Sequence, residues 1–214
     1  MASTINALTG SGGVATSADA SGVLDLQSGG TTIATVSSAG IALASGKTLT
    51  GDAISNGKIL QVVQTVKTDT ASITSSSTNT FVDLPGMSVA ITPSATSSKI
   101  LVSFTVSVGT SSGSLHINLV RGSTNIAVGD ADGSRLVSTL NHRLSSTPYS
   151  LSTPPLSYTF LDSPSTTSAT TYKLQGTLGA TYSSTFYVNR SVTDNNTDYG
   201  ARVTSTITVM EVAA

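Results

Sequence analysis

The chain has 214 residues and a formal net charge of −1, it contains no cysteine, and only 10% of its side chains are charged, against about 25% in average globular proteins. The absence of cysteine excludes disulfides, thiol chemistry and cysteine-ligated metal sites. The ten basic residues are scattered singly, which argues against binding to nucleic acid or to an anionic membrane surface. Serine and threonine replace charged residues at polar positions, so we expect a polar but nearly uncharged surface.

Two kinds of targeting segment are not predicted. No apolar run approaches the roughly 20 residues that a transmembrane helix needs. The first six residues, MASTIN, include neither the basic region nor the apolar region of a Sec-type signal peptide. The sequence therefore predicts synthesis in a cytoplasm without Sec export.

Residues 1–57 predict short strands joined by tight turns. Glycine-containing pairs such as Gly29-Gly30 punctuate short apolar stretches, which are Val23–Leu26, Thr31–Val36 and Ile41–Leu43. About a dozen Ile, Leu and Val residues are spread over this segment, too few for their burial to offset the entropy of ordering more than fifty residues. We therefore expect residues 1–57 to need a partner surface or further copies of the chain in order to fold.

The most regular apolar pattern of the chain lies at Lys99–Val108. Ile100, Val102, Phe104 and Val106 recur at every second position, and Leu101 is the one apolar residue on the other side. A period of two is typical of a β-strand with one face on a core. We expect this long strand to be central to a domain formed by residues 58–214.

The rest of residues 58–214 predicts further strands and no helix. Pro85-Gly86 predicts a turn between two strands, and Arg121–Thr124 predicts a hairpin connection, whereas residues 129–147 look polar and irregular. The remaining alternating segments are Ile59–Val66, Thr80–Leu84, Met87–Ile91, Leu115–Leu119, Asn125–Val128, Leu156–Phe160, Tyr172–Leu178, Phe186–Val188 and Val203–Val209. About eight to ten strands without a helix predict an all-β fold, most economically an antiparallel, jelly-roll-like β-sandwich.

Residues suited to catalysis are few. His116 lies on a predicted strand, His142 lies in the irregular stretch, and no Gly-x-Ser-x-Gly motif accompanies them. Glu211 is the only glutamate, and no pair of carboxylates is recognisable as a glycosidase site. Gly10–Ala15 has the spacing of a dinucleotide-binding motif but lacks the following helix. We assign no catalytic, cofactor-binding or metal-ligating residue.

Two polar loops are candidates for ligand contact. Gly129–Gly133 resembles the start of a calcium loop, but Arg135 and Asn141 stand where an EF-hand needs glycine and glutamate, so an acidic turn is favoured. Asp194–Gly200 is a second polar loop, in which Tyr199 is available to stack on a sugar. If the domain binds a host glycan, we expect the contacts among Asp130, Asp132, His142, Arg143, Asp194, Asn195, Asn196, Asp198 and Tyr199.

Several segments resemble a known class of protein. They are Gly12–Val14, Ala18–Leu24, Ile59–Val66, Ser98–Val102, Leu161–Tyr172 and Ser205–Val212. Most of residues 58–214 look like the C-terminal knob of tailed-bacteriophage fibre and spike proteins, and the opening segment looks like the start of such virion proteins. The resemblance implies a homotrimer on the particle exterior, either in a tail fibre or tailspike or as a capsid-decorating cement protein with a related β-sandwich.

Three functions follow as hypotheses. The first is a non-enzymatic decoration protein whose residues 1–57 attach to the major capsid protein, or to a tail component, and whose residues 58–214 form an outward knob. About 57 residues leave little room for a shaft, which favours this over a long fibre. The second is a tail-fibre or tailspike tip that recognises a host surface glycan. The third, a depolymerising enzyme, ranks last because it needs a carboxylate pair.

Overall fold

The computed structural model describes residues 3–7, 14–17, 21–48, 59–75, 79–110, 113–143, 151–179, 184–198 and 200–213. Within these ranges the chain forms β-strands joined by turns and loops, with no α-helix. The chain divides into two compact units, the N-terminal unit Met1–Ser55 and the C-terminal unit Asn56–Ala214. The all-β class that the alternating patterns predict is confirmed.

The N-terminal unit is a single five-stranded sheet, here called the N-terminal sheet, with the order β2-β1-β3-β4-β5. β1 and β3 pair in parallel, and the other neighbours pair antiparallel. Gly29 and Gly30 turn the chain between β3 and β4 with φ angles of 58° and 77°, which glycine adopts without strain. The strands are β1 (Ser3–Ala7), β2 (Val14–Ser17), β3 (Leu24–Ser28), β4 (Thr31–Ser37) and β5 (Gly40–Leu43). The prediction of short strands and tight turns is confirmed.

The C-terminal unit contains two sheets. Sheet I has the order β11-β10-β14-β8, and β12 also pairs with β10. Sheet II has the order β6-β16-β9-β15-β7, and β13 also pairs with β9. The strands are β6 (Ile59–Lys67), β7 (Ala71–Ser75), β8 (Val82–Ile91), β9 (Lys99–Thr110), β10 (Ser114–Arg121), β11 (Thr124–Ile126), β12 (Leu140–Arg143), β13 (Pro155–Asp162), β14 (Thr170–Gly179), β15 (Ser184–Val188) and β16 (Ser205–Val212).

The long strand β9 is central to sheet II, as its alternation predicts. Ile100, Val102, Phe104 and Val106 are buried with at most 1% exposure. β16 and β13 both pair with β9 along most of its length, and β15 pairs with its last residues. Because β9 is bonded to three strands while its inward side chains enter the core, it determines the position of sheet II.

The core lies between the two sheets and draws large side chains from both. Phe104 and Phe186 come from sheet II, and Tyr172 comes from sheet I, each at most 1% exposed. A Cβ atom at Gly176 of β14 would lie 2.9 Å from Cζ of Phe186, so glycine permits close packing of the sheets at this point. The predicted antiparallel β-sandwich is confirmed.

The prediction of a turn at Pro85-Gly86 is wrong, because both residues lie inside β8. The register between β8 and β14 shifts between Lys173 and Gln175, so β8 carries extra residues as a bulge. Gly86 has a positive φ of 75° within it. β8 is the last strand of sheet I, and a proline in an edge strand costs no ladder hydrogen bond on its open side.

The prediction that residues 129–147 are irregular is wrong in part, and residues 144–147 lie outside the described residues. Leu140–Arg143 forms β12, which pairs antiparallel with Ser114–Ile117 of β10. The short strand β11 pairs only with Leu119–Arg121 of β10. The backbone N–H and C=O groups at the other end of β10 are therefore not bonded by β11. They pair with β12 instead.

Candidate functional site

The acidic turn around Asp130 and Asp132 lies in the connection between β11 and β12. Both residues are exposed. The Asp132 carboxylate forms an ion pair with Arg135, whose backbone N–H also donates to the Asp132 carbonyl at 3.2 Å. The described residues contain no group of three or more His, Asp or Glu side chains arranged to hold a metal ion. Asp132 is therefore neutralised by a neighbour within the same turn.

His142 and Arg143 lie on β12 rather than in a loop. His142 pairs with Leu115, a core residue, whereas Arg143 pairs with Ser114 and is exposed. The Nε2 atom of His142 is buried and has no hydrogen-bond partner among the described residues. The structure thus turns His142 towards the core and leaves Arg143 available at the surface.

His116 of β10 lies within hydrogen-bond distance of two residues in or next to β12. Its Nδ1 atom lies 3.1 Å from Oγ of Ser138, and its Nε2 atom lies 3.1 Å from Nδ2 of Asn141. Since an amide NH₂ only donates, Nε2 accepts and Nδ1 carries the proton. Burial lowers the pKa of His116, which favours this neutral form. Because His116 and Leu115 alternate on one strand, His116 and His142 face opposite sides of sheet I and form no pair.

The loop around Asp194 lines a cleft of about 480 Å³. The Asp194 carboxylate accepts a hydrogen bond from Nη2 of Arg202 at 2.8 Å and lies 3.7 Å from Nη1 of Arg190. Asp198 is exposed nearby, and Tyr199 lies outside the described residues. The cleft is lined by Asp194, Asn195, Asn196, Gly200 and Arg202. Carboxylate, amide and guanidinium groups together offer both donors and acceptors to a polar ligand.

The two candidate loops attach to different sheets. The β11–β12 connection is bonded to sheet I, because Leu119 N–H donates to Oγ1 of Thr139 at 2.9 Å. The chain after β15 is bonded to sheet II, because Asn189 N–H donates to the Ser107 carbonyl at 3.0 Å. The contact of each loop with a ligand is therefore predicted separately, not as a single site shared by both loops.

The N-terminal sheet has one apolar face, here called the N-terminal apolar face. Directly paired residues of adjacent strands share a face, and the pairings of β3, β4 and β5 align two apolar rows. The rows are Leu24, Val36, Ile41 and Leu26, Ala34, Leu43. On the opposite face Asp25 accepts a hydrogen bond from Oγ1 of Thr35 at 2.8 Å. One face of these three strands is thus mainly apolar, although Ala42, which pairs with Thr35, lies on the polar face.

The N-terminal apolar face is only partly exposed: Leu24, Leu26 and Val36 are half-buried, whereas Ile41 and Leu43 on the edge strand β5 are exposed. Among residues 21–48, Ala34 alone is buried. Ile41 is 71% exposed and Leu43 is 40% exposed. A single sheet without a second layer does not exclude water from its apolar side chains. The face therefore has the character of an interaction surface.

The buried carboxylate Asp162 is held by two partners. Nη1 of Arg121 lies 2.8 Å from both of its oxygens, and the Tyr172 hydroxyl donates to Oδ2 at 2.6 Å. Burial and this hydrogen bond raise the pKa of Tyr172, so the phenol stays protonated. The cluster joins β10, β13 and β14, which belong to both sheets, and it satisfies a charge that would be costly to bury alone.

Glu211 is fully buried and accepts hydrogen bonds from two neighbouring elements. Ser94 donates from its backbone N–H at 2.7 Å and from Oγ at 2.6 Å, and Gln61 donates from Nε2 at 2.6 Å. Burial alone raises the pKa of Glu211, but the hydrogen bonds from Ser94, Gln61 and Ser98 outweigh it and lower the pKa to about 2. Glu211 thus fixes the β8–β9 connection against β16 as an ionised carboxylate.

We expect acid to destabilise the protein through Glu211. Its pKa is about 2 in the folded chain against 4.5 as the ordinary value, so its stabilisation is complete above pH 4.5 and is lost as the pH falls through 2. The shift corresponds to about 3 kcal/mol. Urea unfolding at several pH values measures it.

The variant Glu211→Gln isolates this contribution. It retains Asp69 and Asp83, whose pKa values are also lowered by hydrogen bonds from Lys67 and Lys173. We expect the variant to be less stable than the native chain at pH 7 and to lose less stability between pH 4.5 and 2. Parallel pH profiles for the two proteins would contradict the role given to Glu211.

A buried asparagine joins four segments of sheet II. Asn189 has a φ of 63° and is 0% exposed. Its Nδ2 atom donates to the carbonyls of Lys67 and Asp69 at 2.8 and 2.9 Å, and its Oδ1 atom accepts from the Ser205 hydroxyl. Its backbone N–H donates to Ser107 of β9. Sequence patterns gave no signal for this residue, because its partners are distant in the chain.

Comparison with known proteins identifies no family for this chain, and the solved structures that match include a distantly similar viral one. No family model matches the chain, and no curated protein matches it. In the described part of the chain, no helix has the length and hydrophobicity to cross a bilayer. The solved structures that match include that of the Gt strain of infectious bursal disease virus, with 14% identity over 72% of this chain and 38% of that one, at a TM-score of 0.36. The chain thus spans well under half the length of that structure.

Proposed function

We propose that this chain is a non-enzymatic structural protein of a virion surface. In this proposal residues 1–57 form an attachment and oligomerisation segment, and residues 58–214 form an outward knob in a homotrimer that decorates the capsid. The observation that carries the proposal is the exposed β5 end of the N-terminal apolar face, formed by Ile41 and Leu43. Large aliphatic side chains exposed at the edge of a sheet are stabilised when another surface covers them.

The C-terminal unit supports a structural role in a different way. Its core is complete without a partner, and its buried carboxylates have structural partners. Asp162 is paired with Arg121 and Tyr172, and Glu211 is bound by Ser94 and Gln61. Neither is the opposed carboxylate pair that glycoside hydrolysis uses. A well-packed domain held by such contacts suits a rigid exterior knob.

Trimerisation would strengthen attachment. Three attachment segments on one particle bind with avidity, so that modest single contacts give a stable complex. The virion location and the trimer are supported by the resemblance of residues 58–214 to bacteriophage knobs. The low charge of the chain, −1 overall, allows copies to approach each other without strong repulsion.

A tail-fibre or tailspike tip that recognises a host glycan is the second candidate. The cleft at Asp194, Asn195 and Arg202 favours it, because amide, carboxylate and guanidinium groups form the hydrogen bonds that sugar hydroxyls need. In this case residues 1–57 would attach to a tail component.

Electron microscopy of labelled particles separates these possibilities. An antibody tag placed after Ala214 marks the protein on intact virus particles. We expect label spread over the icosahedral faces. Label confined to the tail would replace capsid decoration by the tail-fibre function, and purified particles without label would contradict a virion location altogether.

A further inference from the structure

The outer face of sheet II contains an apolar row that crosses four strands. Val62 of β6 pairs with Met210 of β16, Met210 pairs with Leu101 of β9, and Leu101 pairs with Leu161 of β13. Val62 is 56% exposed and Leu161 is 51% exposed. Four apolar side chains in register on the side away from the core are not needed for packing within the sandwich. They point to a contact surface.

The second row on this face is polar, and the third is polar except for Val66 of β6, which is 50% exposed. Polar side chains of both rows bond to each other. Gln64 donates to Oγ1 of Thr208 at 2.7 Å, and Thr159 donates to Oγ of Ser103 at 3.2 Å. In the third row the hydroxyls of Thr105 and Ser157 lie 2.9 Å apart. Burying a hydroxyl group that already has a hydrogen-bond partner costs less free energy than burying an unpaired one. The whole face is therefore suited to being covered.

Charge on this face is nearly absent. The charged residues Lys67, Asp162 and Glu211 of these strands are buried, and Lys99, at one end of the face, donates to Oγ of Ser163 at 2.8 Å. A partner with a charged surface would find no opposite charges on this face to pair with its own. The same uncharged faces of the other copies, arranged around a three-fold axis, meet it without repulsion or unpaired charge.

We propose that the outer face of sheet II is a contact between copies of this chain. The inference rests on the proposed oligomer and names the part of the knob that meets the neighbouring copy. Four strands and about six residues of each give a face of roughly 400 Å², about half of what one partner contributes to a standard interface. It is thus one contact of the assembly, in addition to that of the N-terminal sheet.

Single cysteines test this contact in the full-length protein, because the chain has none of its own. Leu161→Cys places a thiol on the apolar row, where the exposed leucine contributes little to the fold. The matched control is Ala90→Cys, an exposed position on β8 of sheet I between the buried Val89 and Ile91. Each variant is treated with a maleimide-linked polyethylene glycol to measure labelling rate, and separately with a short bismaleimide to form cross-links.

We expect the Leu161→Cys thiol to be labelled about tenfold more slowly than the Ala90→Cys thiol, as for an interface core, and to form covalent dimers with the bismaleimide. Dilution that dissociates the oligomer should bring both labelling rates together. Equal rates in an intact oligomer would overturn this inference and leave the proposed oligomer standing. Slow labelling without interchain cross-links would also overturn it, because the face would then be covered by something other than a second copy. A monomeric chain at all concentrations would overturn both proposals.

Discussion

The substitution Ile41→Lys is expected to dissociate the oligomer while leaving each chain folded. Ile41 lies at the end of an apolar row on the edge strand β5 and is 71% exposed within one chain. Because it makes few contacts there, the free energy of unfolding of the isolated chain should change by no more than about 0.5 kcal/mol. Lysine on an exposed edge strand is also well tolerated.

The effect on assembly is expected to be much larger. If a neighbouring copy covers the exposed end of the N-terminal apolar face, Ile41→Lys removes about 2 kcal/mol of apolar burial and places an ammonium group in the interface, at a further cost. This corresponds to a dissociation constant raised by about a hundredfold or more. Light scattering over a dilution series measures the change.

The neighbouring position supplies a matched control. Ala42 is exposed on the same strand but faces the opposite side, in register with Thr35 and Asp25. Ala42→Lys introduces the same charge near the Asp25 carboxylate and should leave the oligomer intact. Equal dissociation by Ile41→Lys and Ala42→Lys, or by neither, would show that the apolar face is not the contact.

The substitution Asn189→Ala is expected to lower the free energy of unfolding by about 4 kcal/mol. It leaves the carbonyls of Lys67 and Asp69 and the hydroxyl of Ser205 without their partner, and each unsatisfied buried group costs about 1 to 3 kcal/mol. Alanine at a φ of 63° adds about 1 kcal/mol of backbone strain. Urea unfolding followed by circular dichroism measures the loss.

Two further variants separate the causes. Asn189→Gly keeps the positive φ without strain but lacks the hydrogen bonds, so it should recover only about 1 kcal/mol relative to alanine. Asn195→Ala alters an exposed asparagine of the following loop and should change stability by less than about 0.5 kcal/mol. A loss of less than about 1 kcal/mol for Asn189→Ala would contradict its role in joining the strands.

Much of the fold follows from alternation in the sequence. The repeat at Ile100, Val102, Phe104 and Val106 predicts both the strand β9 and the side that enters the core. Local periodicity suffices there because a half-buried strand needs one apolar face. The all-β class and the sandwich follow because many such segments occur without a helical pattern.

Features that depend on pairing between distant strands could not be predicted in this way. The apolar row of sheet II requires Val62, Met210, Leu101 and Leu161 to be in register, and register is not visible in any one segment. Likewise, a bulge in an edge strand lets Pro85 remain inside β8, although the dipeptide that it begins is typical of turns. Tertiary context overrides local preference at both places.

The candidate site residues show the same limit. Local composition identifies Asp130 and Asp194 as polar loop residues, and both lie in loops. It placed His142 in an irregular stretch, but the free edge of β10 makes that stretch a strand and turns the imidazole towards the core. The two faces proposed here as contacts are formed by ordinary aliphatic residues. These residues form a recognisable surface only when the pairing of the strands aligns them.

The mass of the unmodified full-length protein in solution tests the account most directly. Light scattering coupled to size-exclusion chromatography measures it without a label or a substitution. We predict a mass of about 65 kDa, three times the 21.5 kDa of one chain, that persists on moderate dilution. A folded species of 21.5 kDa at every concentration would contradict an oligomer held by the N-terminal apolar face.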